Sequence, residues 1–255
     1  MAQNSGILKL LERIAFPTRC VACRTLLDWY GDEDTAFCAA CAKQWVSETL
    51  ERCGICGERV TDCTCMPQAM QKAKCECLYK LVYYVPRHAD AVQNRLIYRL
   101  KNGSARRAAA FAAEQMRPQL ECYLRTHNVA ADEVLLTYLP RSVRARLQTG
   151  SDQARALTRE LSKQCGLEMK PLIARRALAN RTQKTLSPRE RLKNAKRAYV
   201  ARKRADCAGK TVVLADDIVT TGAGMAVASR ILRRMGARRV ICMCIATDAV
   251  NKDLP

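Results

Sequence analysis

The chain has 255 residues, 49% of them apolar and 5% aromatic, which suffices for one large domain or for a medium domain with a small module. With 44 Lys and Arg against 24 acidic residues, the formal charge is +20; such an excess favours polyanionic partners, whether phosphate-rich ligands or nucleic acid, and is silent on fold. No run approaches the ~20 apolar residues that a membrane-spanning helix needs, so no membrane span is expected.

In chain order, the start MAQNSGILKLLERIAFP sets Ile7, Leu8, Leu11 and Ile14 at helical spacing among charges. That predicts a short amphipathic helix packed on its own protein and not a secretory signal, so a cytoplasmic location is expected. Eight of the fifteen cysteines then fall within 20–65 as pairs: Cys20/Cys23, Cys38/Cys41, Cys53/Cys56 and Cys63/Cys65. Without a secretory signal, thiol pairs at C-x-x-C or C-x-C spacing read as zinc ligands, not disulfides. A C-x-x-C turn points two sulfurs at one ion, and two such turns complete a tetrahedron. Eight ligands make two four-cysteine zinc sites; one site with four spare thiols is the other arrangement, and the pairing, sequential or crossed, stays open. Cys75 and Cys77 are spare by this count, and Cys122, Cys165, Cys207, Cys242 and Cys244 read as small buried hydrophobes.

The stretch CTCMPQAMQKAK reads as a linker, which sets an expected amino-terminal helix and zinc module at 1–67 and a second domain at 78–255. LYKLVYYV (78–85) predicts a strand, and a helix from Asp90 through Leu100 precedes a break at 101–104. A second, alanine-rich helix is expected at about 105–125, and a strand at VLLT (134–137). YLPRSVRARLQTG follows as a loop, with Ser151 or Asp152 capping the next helix. Residues 170–204 hold thirteen Lys or Arg against one acid, Glu190, which suits a hood over a ligand, a polyanion-binding face or solvated surface. Strands at 211–215 and 239–246 flank a last helix. The alternation predicts an α/β fold with a mostly parallel, doubly wound sheet.

The most specific stretch is VVLADDIVTTGAGM (212–225). A buried apolar strand delivers Asp216 and Asp217 to its carboxyl edge, where open α/β sheets bind ligands. Thr220, Thr221, Gly222, Ala223 and Gly224 are small and rich in N–H and hydroxyl donors, and they open a helix whose amino end favours phosphate. Carboxylates for sugar hydroxyls beside a phosphate cradle would together hold a phosphorylated ribose.

DDIVTTGAGM resembles the PRPP-binding signature of type I phosphoribosyltransferases. With the cysteine-rich start, the chain is similar to the ComF family of competence-associated proteins, also described as GntX-like. LIYRLKNGS (96–104), TYLPRSVRARLQTGSDQA (137–154) and RTQKTLSPRERLKNAKRAY (181–199) resemble further elements of that family. The resemblance implies that Asp216 and Asp217 bind the ribose hydroxyls directly or through Mg²⁺, and act in any transfer chemistry. It implies that Thr220 to Gly224 cradle the 5′-phosphate, with Arg141 and Lys101 as candidate pyrophosphate cations. It also implies a setting in DNA uptake during natural transformation, or a related nucleic-acid process, with single-stranded DNA and competence-machinery proteins as partners. Two readings stand side by side: transfer of phosphoribose to an acceptor, or a non-catalytic nucleic-acid or protein-binding module that retains the fold. The chain departs from the family at Gly224, where a hydroxyl residue is usual, and at Tyr138-Leu139-Pro140, where Pro-x-Pro is usual.

Overall fold

Val212, Val213, Leu214 and Ala215 are all fully buried, as expected of a strand covered on both faces. They lie in β6 (Thr211–Val219), near the middle of a five-stranded parallel sheet. The computed structural model describes residues 17–27, 35–101, 105–150, 152–176 and 187–248. The predicted amino-terminal helix with Ile7, Leu8, Leu11 and Ile14 lies outside them, as do Ser151 and residues 181–186.

The remaining elements follow in chain order: α1 (Ala39–Thr49), α2 (Gln68–Gln71), β1 (Leu78–Tyr84), α3 (Val92–Lys101), α4 (Ala105–Thr126), β2 (Val134–Tyr138), α5 (Val143–Thr149), α6 (Gln153–Cys165), β3 (Glu168–Met169), β4 (Ile173–Arg175), α7 (Pro188–Ala198), β5 (Tyr199–Ala201), α8 (Ala223–Arg234) and β7 (Arg239–Asp248). The sheet runs β1-β7-β6-β2-β3 with every pairing parallel, and β4 and β5 form a separate antiparallel pair. Alternation along β6 splits the core in two. Val213 faces a cluster with Leu96, Ala112, Met116 and Leu157, while Val212 and Leu214 face Met225, Ala228 and Leu232 of α8. Helices therefore cover both faces, and the doubly wound α/β expectation holds.

The cysteine-rich start joins the first of these clusters. Phe37 and Trp45 pack on Phe111 of α4, with ring centroids 4.5 and 5.3 Å away, and Trp45 Nε1 donates to Gln115 Oε1 at 3.3 Å. Four local expectations are corrected. Residues 143–149, expected as loop, form α5, because Ser142 Oγ accepts from the Ala145 N–H and caps it. The expected linker carries α2 and fully buries Met70. The strand expected to stop at Ala215 continues to Val219, so both acids lie within the ladder. Cys122, expected buried, is exposed on α4. Among the described residues no helix is long and apolar enough to cross a membrane.

Candidate functional site

The simple alternation of β6 breaks at the acids: Leu214 packs with the α8 cluster, whereas Ile218 packs with the other, and the Asp216 and Asp217 carboxyl groups lie close enough to interact. The Asp217 N–H donates to Asp216 Oδ1, and the Ile218 N–H to Asp217 Oδ1, both at 2.9 Å. Burial raises the Asp216 carboxyl well above the ordinary carboxylate range, and the charges of Asp217 and Asp152 add to the rise against the Asp217 N–H.

β6 then turns through Thr220-Thr221-Gly222 into α8. Gly222 is left-handed at φ 66°, and a Cβ there would stand 2.7 Å from Met70 Cγ and 2.8 Å from its Sδ. Only glycine satisfies both conditions. Gly222→Ala is expected to lower stability by about 1–2 kcal/mol from the left-handed backbone alone, with the Met70 clash added; thermal melting measures it. At Gly224 a Cβ would stand 2.7 Å from Leu139 Cδ2. Leu139 thus fills the space that a larger residue at 224 would occupy.

Asp216, Thr220, Thr221, Gly222, Ala223 and Gly224 line one cavity of about 110 Å³, together with Leu139, Arg191 and Tyr199. Of these, sequence reasoning placed Arg191 only within the basic 170–204 segment, as hood, polyanion-binding face or solvated surface, and assigned no role to Tyr199. Arg191 comes from the basic segment, where Arg191, Ala195 and Ala198 repeat at helical spacing, and its Nη1 donates to Thr220 Oγ1 at 3.4 Å. That spacing, with its two small apolar partners, was the available signal. Tyr199 is held by Arg175, whose Nη1 donates to the phenol at 3.0 Å and whose guanidinium lies 5.2 Å from the ring centroid. Burial pushes the Tyr199 phenol up to about 12, with Arg175 opposing.

The structure places the remaining candidates less centrally. Asp217 and Arg141 are not among the described residues lining the cavity. Arg141 follows β2, and its backbone N–H donates to Asp152 Oδ2 at 3.3 Å, beside the α6 cap that Asp152 makes with the Arg155 N–H. Lys101 is the last residue of α3, and its side chain lies outside the described atoms.

The cysteines gather as two groups, Cys20/Cys23/Cys38/Cys41 and Cys53/Cys56/Cys63/Cys65, each with its sulfurs within 4.8 Å of one another. The pairs therefore combine sequentially. Burial opposes ionisation at Cys23 and Cys53. Hydrogen bonds with Thr25 in one case, and from the Cys56 and Ile55 backbones in the other, nevertheless hold each thiol down to about 6. Four sulfurs, with one readily ionised in each group, fit a tetrahedral zinc ion, and both groups could hold one.

Residues 148–255 match the family described as phosphoribosyl transferase domain. A curated relative, Competence protein F of Haemophilus influenzae, is 28% identical over 117 residues. The carboxyl-terminal part thus carries a phosphoribosyltransferase-type domain, and the chain is similar in part to a protein named for competence. The match to that relative covers 46% of this chain and 51% of the relative, about half of each. The family match begins at 148, yet β1 and β2 lie upstream and pair directly with β7 and β6.

Proposed function

We propose that the cavity at the end of β6 receives the phosphate end of a phosphoribosyl ligand, PRPP accompanied by Mg²⁺. We further propose that the chain serves DNA uptake or a related nucleic-acid process, in keeping with a relative named for competence. The observation that carries the ligand reading is the meeting, in one cavity, of Asp216, the Thr220–Gly224 loop and the Arg191 guanidinium. The first N–H groups of α8 have no intrahelical acceptors and suit phosphate oxygens. Arg191 adds a fixed positive charge beside Thr220, and the carboxylates accept from vicinal sugar hydroxyls. Mg²⁺ would be held by the Asp216 and Asp217 carboxylates and would supply a hard cation there. Transfer to an acceptor would develop positive charge on the sugar, which the Asp216 carboxylate would stabilise. Calorimetry of zinc-loaded protein with PRPP and Mg²⁺ tests the reading: saturable, Mg²⁺-dependent heat supports it, and its absence overturns it. Release of pyrophosphate with nucleobases or DNA then separates an enzyme from a binding module.

A second reading, a nucleic-acid-binding role that does not depend on turnover, is favoured by the surface of α7. Arg189, Lys193, Lys196 and Arg197 are exposed there, while Arg191 turns inward to the cavity. Each phosphate contact on single-stranded DNA contributes about 0.7 to the salt slope. Changing these four to Gln is therefore expected to flatten the slope by up to about 3. Arg191→Gln should instead weaken PRPP while sparing DNA. DNA affinity indifferent to both salt and the four changes would leave α7 as solvated surface.

A further inference from the structure

Lys80, in the middle of β1, is 3% exposed. Among the described residues it forms no ion pair with a carboxylate. Its Nζ donates instead to Cys63 O at 2.9 Å, Cys65 O at 3.0 Å and Cys63 Sγ at 3.1 Å, with a longer contact to Leu78 O at 3.5 Å. The three short contacts match the three N–H donors of an ammonium. A buried ammonium needs an opposite charge, and among the described residues the one hydrogen-bond partner that can become anionic is Cys63 Sγ of the second cysteine group. From the other side, Gln119 Nε2 donates both to Thr61 O, within the same loop, and to Lys80 O. Among the described residues no cation donates to a sulfur of the first group: Arg95 interacts with Cys23 and Cys41 only electrostatically while its hydrogen bond goes to Asp90, and Arg99 and Arg107 reach the surroundings through the backbone carbonyls of Ala22, Arg19 and Thr35.

We infer that Lys80 is the built-in counter-charge of the second metal site and fixes its Cys63–Cys65 half to the sheet. Four thiolates around Zn²⁺ leave a net charge of −2, and the ammonium reduces this to −1 where water is excluded. The two zinc sites are therefore unequal: one is completed by its four sulfurs, the other by four sulfurs and a lysine. This rests on reading the second group as a metal site, and the experiment keeps the two claims apart.

Zinc-loaded full-length protein is titrated with a chromogenic chelator, and release of each ion is followed. The parent should release two zinc ions. Lys80→Met, which keeps the stem and removes the charge, should release one of them about 10- to 100-fold more readily, as loss of an outer-shell partner does, and leave the other unmoved. Cys23→Ser, which disables the first group, identifies the ion that changed. Equal release from parent and Lys80→Met makes Lys80 a spacer and overturns the inference. Should Lys80→Met not fold, cobalt-loaded Lys80→Arg decides. A shifted sulfur-to-cobalt absorption band at the second site supports the contact, and an unshifted band overturns it. A parent that holds one zinc only, at the first group, overturns the metal reading and this inference with it.

Discussion

Replacing Asp216 and Asp217 by Asn is expected to abolish Mg-PRPP binding, with a loss of about 100-fold or more, and to leave the fold intact. Hydrogen bonds to charged groups contribute about 1.5–3 kcal/mol each, and amides of the same shape can neither attract Mg²⁺ nor accept from two hydroxyls as a carboxylate does. The single changes should be unequal, because Asp216 lines the cavity and Asp217 does not. Without ligand the sign reverses. Burial raises the Asp216 carboxyl well above its ordinary value of 3.8, so the folded state binds more protons than the unfolded one. Stability therefore falls as pH rises from the ordinary carboxylate range through the raised value. Asp216→Asn removes this cost and should raise Tm near neutral pH by about 2–4 °C, the shift that ~1 kcal/mol gives a protein of this size. The gap from the parent should narrow toward pH 4. Binding by the double variant as tight as the parent's would move the ligand elsewhere, and a pH-independent gap would sink the account of Asp216.

Removal of metal is the second large effect. Reduced, purified protein should carry two zinc ions, and chelation should unfold residues 20–65 as they leave, since structural zinc supplies about 10–16 kcal/mol of apparent binding energy per site at pH 7. Trp45 reports this directly, because its ring lies 5.3 Å from that of Phe111 on α4. In a Trp29→Phe background its emission should shift to the red as the metal is withdrawn. Metal analysis finding no zinc while residues 20–65 remain folded would end the claim.

The sheet was legible because strands covered on both faces need unbroken apolar runs, and 211–215, 239–246 and 134–137 are such runs. The cysteine groups were legible because ligand geometry acts over a few residues and leaves its spacing in the chain. What escaped depends on contacts distant in sequence. A four-residue helix such as α2 has no periodicity to read, and nothing local announces that Met70 will be buried against Gly222. Arg191 sat within a dense run of cations, where one inward guanidinium looks like its outward neighbours. Gly224 read as a departure from a pattern, and only its approach to Leu139 shows why a larger residue is not accommodated there.

The contact of Met70 and Pro67 with Gly222 also bears on how the chain can be dissected. Residues 66–77 lie along α8 as a strap: Arg230 and Arg233 of α8 donate to Lys72 O and Lys74 O, and Cys75 Sγ donates to Ser229 Oγ. A fragment beginning at Leu78 would keep every strand of the sheet yet lose the side chain that roofs the Thr220–Gly224 loop. The hollow left by a fully buried methionine costs a few kcal/mol, about 2–5 when the side chain is cut back to alanine. The two halves are thus not clean pieces for expression, because the residues that finish the Thr220–Gly224 loop are encoded on the cysteine side of the boundary.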